Sequence, residues 1–247
     1  YGGRLYTSIA WTNLNNNLGI TQFYGGAGSL GTGKIIGGAQ DNGHLMYTGS
    51  ATWTQTYGGD GGFVAVDPDD SNYMYGEYVY LTIYRSTDGG NNYEEICGGI
   101  FEANSSYCGG SDEALFIAPF MLDPNNSNTM LAGASSLWRT TNVKALTPFW
   151  IPIKAPLIKD IYGYTKYISS IAVGPGNSDI IWVGYENGEV YYTTNGTAGS
   201  PSWTQTGKNV LPERYVTRIL IDKDNSNKAY VAFGGYDADN LYLTANS

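Results

Sequence analysis

What the chain lacks narrows it first. No stretch of its 247 residues sustains a 3.6-residue apolar period, so long amphipathic helices are not expected. No apolar run is long enough to span a bilayer, and the longest, residues 114–122, is broken by Pro119. Basic residues are few: 13 Lys and Arg stand against 22 Asp and Glu, leaving a net charge of −9. That field repels a phosphate backbone, which disfavours nucleic acid as a partner. No basic amphipathic helix is present to dock on a membrane. Histidine occurs once, at His44, and cysteine only at Cys97 and Cys108. Two thiols and one distant imidazole are too few for a zinc centre. No Gly-x-Ser-x-Gly elbow places a serine beside His44, which reads instead as an exposed turn residue. The Gly-rich residues 25–33 lack the Lys-Ser/Thr ending and following helix of a phosphate loop.

What is present is glycine and tyrosine, 34 and 22 of them, with only 14% charged residues. Aromatics favour strands and glycines favour turns, which together predict many short strands. A repeat organises them. Residues 63–76 read Phe-Val-Ala-Val-Asp-Pro-Asp-Asp-Ser-Asn followed by Tyr-Met-Tyr-Gly. The same plan returns from Phe120, Ile171 and Ile219, with its corner at Asp67, Asp123, Gly174 and Asp222, at intervals of 56, 51 and 48 residues. Each copy is an apolar strand, a turn rich in Asp, Pro, Asn and Ser, and a second apolar strand. Asx side chains bind backbone N–H groups within such turns and proline pre-sets φ, so each copy predicts a hairpin.

A second element follows each hairpin. Its clearest copy is Ser86-Thr87-Asp88-Gly89-Gly90-Asn91-Asn92-Tyr93. Looser copies run from Thr140 to Trp150 and from Thr193 to Trp203, shorter ones from Thr48 to Trp53 and Thr7 to Trp11, and a truncated one begins at Thr244. This element resembles the Asp box, or BNR repeat, of sialidase-like propellers, Ser-x-Asp-x-Gly-x-x-Trp, with Tyr93 in place of Trp. Residues 37–43 and 58–62 also look like a pattern found in large uncharacterised bacterial BNR-repeat proteins. The resemblance implies an all-β fold: a β-propeller of four-stranded antiparallel blades, in which Ser86, Asp88, Gly90 and Tyr93 form a structural turn. Counting units places blades at residues 20–57, 62–97, 115–153 and 168–206, with partial units at 1–14 and 217–247. The end units duplicate one another, since both supply a third strand, so a fragment of a larger propeller is expected. A small closed ring with irregular ends is the alternative.

In an up-and-down blade the first and third turns share one face. The Asp-Pro turns and Asp boxes therefore lie together, and the other loops gather opposite. Long loops converging on a rigid scaffold are the expected binding surface. They carry the ligand-contacting candidates Gln40, Asp41, Asn42, Asp60, Tyr162, Tyr164, Arg214, Tyr215 and Asp237. Carboxylates and aromatic rings suit sugar hydroxyls and sugar faces, so the leading expectation is a secreted or cell-surface module that binds carbohydrate without catalysis.

Two other classes compete. A glycoside hydrolase of the endo-glucanase, xyloglucanase-like type needs two carboxylates flanking a cleft, for which Asp41 and Asp60 are the candidates and Glu186 the substitute. The bland reading makes Asp41 and Asp60 tight-turn residues. The same two carboxylates are also the candidate Ca²⁺ ligands, and no organic cofactor is expected. A structural subunit would assemble with other chains through exposed blade edges. Sialidase chemistry fits poorly: the resemblance would require three arginines gripping a carboxylate, yet Arg85 and Arg139 directly precede Asp-box positions, which puts them near the wrong face. Cys97 and Cys108 flank one Gly- and Ser-rich loop, and a disulfide is preferred over two reduced thiols. With no initiator Met or signal peptide at Tyr1, a trimmed, exported product is the expectation.

Overall fold

A computed structural model describes residues 10, 12, 14, 20–158 and 161–245. The partial unit at residues 1–14 lies almost wholly outside them, as do Lys159, Asp160 and the last two residues of the truncated Asp box. The described residues form nineteen strands, without a helix, in five antiparallel sheets. The first contains β1 (Phe23–Gly28), β2 (Ile35–Ala39), β3 (Gly43–Tyr47) and β4 (Thr54–Tyr57). The second contains β5 (Val64–Val66), β6 (Met74–Glu77), β7 (Ile83–Ser86) and β8 (Glu94–Glu95). The third contains β9 (Phe120–Asp123), β10 (Asn126–Gly133), β11 (Leu137–Thr140) and β12 (Ile151–Lys154). In the fourth are β13 (Ile168–Gly174), β14 (Asn177–Tyr185), β15 (Val190–Thr193) and β16 (Thr204–Thr206). The fifth has three strands, β17 (Val216–Ile221), β18 (Ala229–Phe233) and β19 (Leu241–Thr244). Strands pair in sequence order within every sheet, and the first strand of each packs against the first strand of the next. This is a β-propeller of up-and-down blades.

The core lies between blades rather than within one sheet. Ile36 and Met46 of the first blade meet Met74 of the second. Tyr75 of the second packs into the cluster with Met130, Trp138 and Trp150 of the third. Leu131 and Leu137 meet Ile181, Val183 and Tyr185, and Trp182 then meets Ile219, Val231 and Phe233. Adjacent residues of β10 and β14 thus face two different neighbours. This is why the repeat reads as continuous apolar strands instead of an alternating pattern. A central hollow of about 380 Å³ is lined by the first strands of all five blades. Among the described residues, β17 does not pack against β1 as successive blades do, and the ring is open there. Leu220, Leu241 and Leu243 on one side of that gap are exposed, as are Phe23, Ile35 and Trp53 on the other.

The turns follow their local chemistry. Asp67 Oδ1 accepts the N–H groups of Asp69 and Asp70 at 2.8 and 3.1 Å, and Asp222 repeats this with Asp224 and Asn225 at 2.9 and 3.1 Å. Ser86 Oγ donates to Asp88 Oδ1 at 2.8 Å, and that same oxygen accepts from the N–H groups of Asn91 and Asn92. The Asn92 side-chain amide, donating to Asp88 Oδ2, together with these bonds holds the Asp88 carboxyl down at about 2. Thr140 with Asn142 and Thr193 with Asn195 reproduce the hydroxyl-to-side-chain bond at 2.8 Å in both blades. The aromatic after each turn ties to the preceding blade. Trp150 donates its indole N–H to Ile96 O at 2.8 Å, and Trp203 does the same to Ile153 O at 2.9 Å.

Arginine adds a second tie that sequence reasoning missed. Arg85 is buried and donates to Val143 O and Ala145 O of the next blade, while pairing with Glu94. Arg139, one repeat on, donates to Gly196 O and Ala198 O. Both face the turn that follows the third strand of the next blade rather than solvent, so they are inter-blade latches.

Cys97 and Cys108 are bonded, with Cα atoms 5.4 Å apart. The loop so closed is short, and its removal by a Cys97→Ser/Cys108→Ser double substitution is expected to cost about 2–3 kcal/mol. For a chain of this size that lowers the calorimetric Tm by roughly 4–12 °C. An unchanged Tm would show that the surrounding hydrogen bonds hold the loop unaided.

Candidate functional site

The loops opposite the Asp-Pro turns are β2–β3, β6–β7, β10–β11, β14–β15 and β18–β19, together with the links between blades. Two groups of side chains form there. The first spans blades one and two. Asp41 and Asp60 do come together: Asp60 Oδ1 accepts the backbone N–H of Asp41 at 2.9 Å. Asp41 sits at φ 62°, and Asp60 caps that left-handed turn. Gln40 accepts from the Tyr24 hydroxyl at 2.8 Å, and Asn42 Nδ2 donates to Gln40 O at 3.0 Å. The polar candidates of this blade are therefore already engaged with the fold.

Aromatic rings adjoin them. Gly59, at φ 81°, lies under the Tyr78 ring, where any side chain would collide with it. Tyr78 meets Tyr107 of the disulfide-stapled loop edge-on, with centroids 5.7 Å apart. Tyr80 meets Phe116 edge-on at 5.6 Å, and its N–H donates to Phe116 O at 3.1 Å. Tyr80 and Leu81 are consecutive non-glycine residues at positive φ, 51° and 61°. Each carries a conformational cost of order 1–3 kcal/mol, which the surrounding contacts must outweigh. Val79 and Leu81 are buried, Tyr80 is only half-buried, and Tyr107 and Phe116 are exposed. Sequence reading did not single out these rings; two consecutive β6–β7 residues forced into the left-handed region leave no trace in composition.

Beneath this patch lies Glu77, fully buried at the end of β6. Its Oε1 accepts N–H groups from Ala118 at 2.9 Å and Leu81 at 3.3 Å, while Oε2 has no partner among the described residues. Burial pushes its carboxyl well above the usual range. His44 packs beside it and corrects an expectation: it is not an exposed turn residue but a wholly buried one. The space comes from Gly76, where a Cβ would overlap the imidazole. His44 Nε2 donates to Glu77 O at 3.1 Å, and the ring lies near Tyr57 and Tyr93. Burial lowers its pKa to about 4.

The second group spans blades three to five. Glu186 Oε1 accepts the Tyr167 N–H at 3.2 Å, and the Tyr167 phenol is raised by burial, then by Glu113 and Glu186. Burial likewise raises Tyr215, with Glu186 adding to it. Arg214 donates to Asn240 Oδ1 at 2.8 Å and lies 3.7 Å from Asp237, so these two candidates are partners of each other. Tyr162 and Tyr164 are exposed on the link between blades three and four. Glu186 lies on the β14–β15 loop of blade four, whereas Asp41 lies on the β2–β3 loop and Asp60 on the link after β4. Among the described residues, the one cluster of three potential metal-binding side chains is Glu95, Cys97 and Cys108, whose sulfurs are committed to the disulfide.

No family model and no curated protein matches the chain. Solved structures do match in fold. The GH74 xyloglucanase from Xanthomonas campestris superposes with a TM-score of 0.63 at 14% identity, over 87% of this chain and 35% of that one. The GH74 enzyme of Niastella koreensis gives 0.60 at 19% identity, over the same shares. The WD40 repeats of RRP9 give 0.59 at 10% identity, over 86% of this chain and 60% of that one. The chain thus spans about a third of each of the two GH74 enzymes, and the likeness is one of fold. No helix among the described residues is long and apolar enough to cross a membrane.

Proposed function

We propose that this propeller is a non-catalytic carbohydrate-binding module of the cell exterior, with its site on the aromatic strip of blade two and the link that follows it. The observation that carries this reading is the pairing of Tyr80 with Phe116 and of Tyr78 with Tyr107 on loops that face solvent, beside Asp41 and Asp60. Flat rings offer stacking area to a sugar face at little conformational cost, and neighbouring carboxylates accept its hydroxyls. A second carbohydrate reading, hydrolysis by Asp41 and Asp60 with Glu186 as substitute, draws on the likeness to GH74 propellers. Against it, Asp60 Oδ1 is held by a backbone N–H and Glu186 by another, which suits turn-capping carboxylates. The disulfide agrees with an oxidising compartment.

A glycan-array screen with and without Ca²⁺, followed by reducing-end assays on every hit, tests the proposal. Tyr80→Ala is expected to weaken binding about tenfold or more, ~1.4 kcal/mol, without release of reducing ends. Turnover abolished by Asp60→Asn would replace this reading with the hydrolase. Binding unaffected by both substitutions would move the site off this strip.

A further inference from the structure

Every blade meets the next through a front face and a rear face, and one of each is left over at the gap in the ring. In blade four the row Ala172–Trp182–Tyr192 crosses β13, β14 and β15 and packs against Ile219, Val231 and Phe233 of blade five. Blade five repeats that row as Leu220–Tyr230–Leu243, in the same cross-strand register. The adjoining row Ser170–Gly184–Val190 returns as Arg218–Ala232–Leu241. Trp182 is 1% exposed and Val190 wholly buried, whereas Leu220 is 59% and Leu241 69% exposed. Arg218, Leu220, Tyr230, Ala232 and Leu241 line an open groove of about 310 Å³. A solvent-facing strand row carries polar side chains; these rows carry mostly leucine and tyrosine.

Blade one shows the opposite face across the gap. Ile181, one residue before Trp182 in β14, is buried against Leu131 and Leu137 of blade three. Ile35, one residue before Ile36 in β2, holds the same position in blade one and is exposed. Phe23 and Tyr47 flank Trp53 beside it, with ring centroids 5.5 and 5.6 Å away. Trp150 and Trp203 each donate to a carbonyl of the blade before them. Trp53, in the same place in blade one, has no blade before it among the described residues and is exposed.

We infer that the chain associates head to tail with a second copy of itself, the front of blade five in one copy packing on the rear of blade one in the next. The repeat names the occupant. At every covered joint a front face is covered by the rear face of a blade, and the rear face left uncovered in this chain is that of blade one. Within one copy β17 does not pack against β1, so the two faces do not satisfy each other. Since the surfaces differ, the contact is heterologous, and copies joined by it continue as a filament or close as a ring. The contact is separate from the aromatic strip of blade two, and its test does not depend on glycan binding.

Light scattering on size-exclusion eluates of the whole chain, over about a hundredfold range of concentration, tests the inference. The mass is expected to rise with concentration beyond that of one chain. Leu220→Glu/Leu243→Glu blocks the front face and Ile35→Glu/Trp53→Glu the rear. Both pairs alter exposed side chains, so the circular dichroism should stay that of the wild type. Each variant alone is expected to run as a monomer, its apparent Kd raised at least about hundredfold by a carboxylate buried without a partner. Mixed in equal amounts, the two should form dimers and nothing larger, because one intact front then meets one intact rear. Three outcomes would overturn the inference: a wild-type chain that stays monomeric throughout, a mixture that stays monomeric, or a blocked variant that still associates alone. The last would place the contact elsewhere, the unpaired outer edge of β19 included.

Discussion

Acidification from pH 7 to pH 4 is expected to remove about 3 kcal/mol of folding stability through His44 alone. Its pKa is about 4 in the fold against 6.5 for an unhindered histidine, and each unit of difference corresponds to ~1.36 kcal/mol. The unfolded chain takes up the proton below 6.5, whereas the folded one resists until about 4. The contribution is therefore complete above 6.5 and is lost as the pH falls to 4. Glu77 acts in the opposite sense, since burial raises its carboxyl in the fold. Its contribution is present below the unfolded value and is lost as the pH rises toward the folded one. The two slopes oppose each other from roughly pH 4.5 upward, over the part of the range to 6.5 that lies below the folded Glu77 value. Urea midpoints across pH 4 to 8 separate them. His44→Gln should flatten the acid limb, while Glu77→Gln, which keeps an acceptor for Ala118 and Leu81, should steepen it. Identical slopes in the wild type and His44→Gln would show that the imidazole gains access to water in the native state.

Replacement of Arg139 by Met is expected to lower stability by about 3 kcal/mol, and of Arg85 by a similar amount. Each guanidinium satisfies two carbonyls of the next blade's turn, and bonds from a charged donor contribute about 1.5–3 kcal/mol apiece. Methionine keeps the aliphatic stem but leaves those carbonyls without donors. The Asx bonds of Asn142 and Asn195 are untouched, so the loss isolates the latch. Scanning calorimetry would register a Tm about 6–12 °C lower in a chain of this length. A loss below about 1 kcal/mol would mean that water replaces the guanidinium at those carbonyls.

Much of the architecture was legible because its causes are local. An Asp or Asn at a corner, a hydroxyl two residues before it and an apolar strand on each side act over a few residues. Their recurrence at Asp67, Asp123 and Asp222, and at Ser86, Thr140 and Thr193, marks the hairpins without knowledge of the fold. Where the turns point was also readable, from the alternation of up and down strands. His44 was misread for the converse reason. Its neighbours in sequence are a glycine turn and a short strand, and nothing nearby says that Gly76, on another blade, leaves room for its ring.

The candidate site divides along the same line. The residue types Asp41, Asp60, Glu186 and Arg214 were found on the expected loops, yet their hydrogen-bond partners come from other loops: Asp60 is bound by Asp41 across 19 positions, and Arg214 by Asn240 across 26. The sequence by itself determined the strands, the turns and the order in which blades follow one another, because those depend on short-range backbone chemistry. Tertiary structure alone decided which carboxylates cap backbone and which arginines are latches. Each of those outcomes depends on groups 19 to 60 positions away being brought within hydrogen-bond or van der Waals reach, and such distances are set by how blades pack rather than by any one blade's residues.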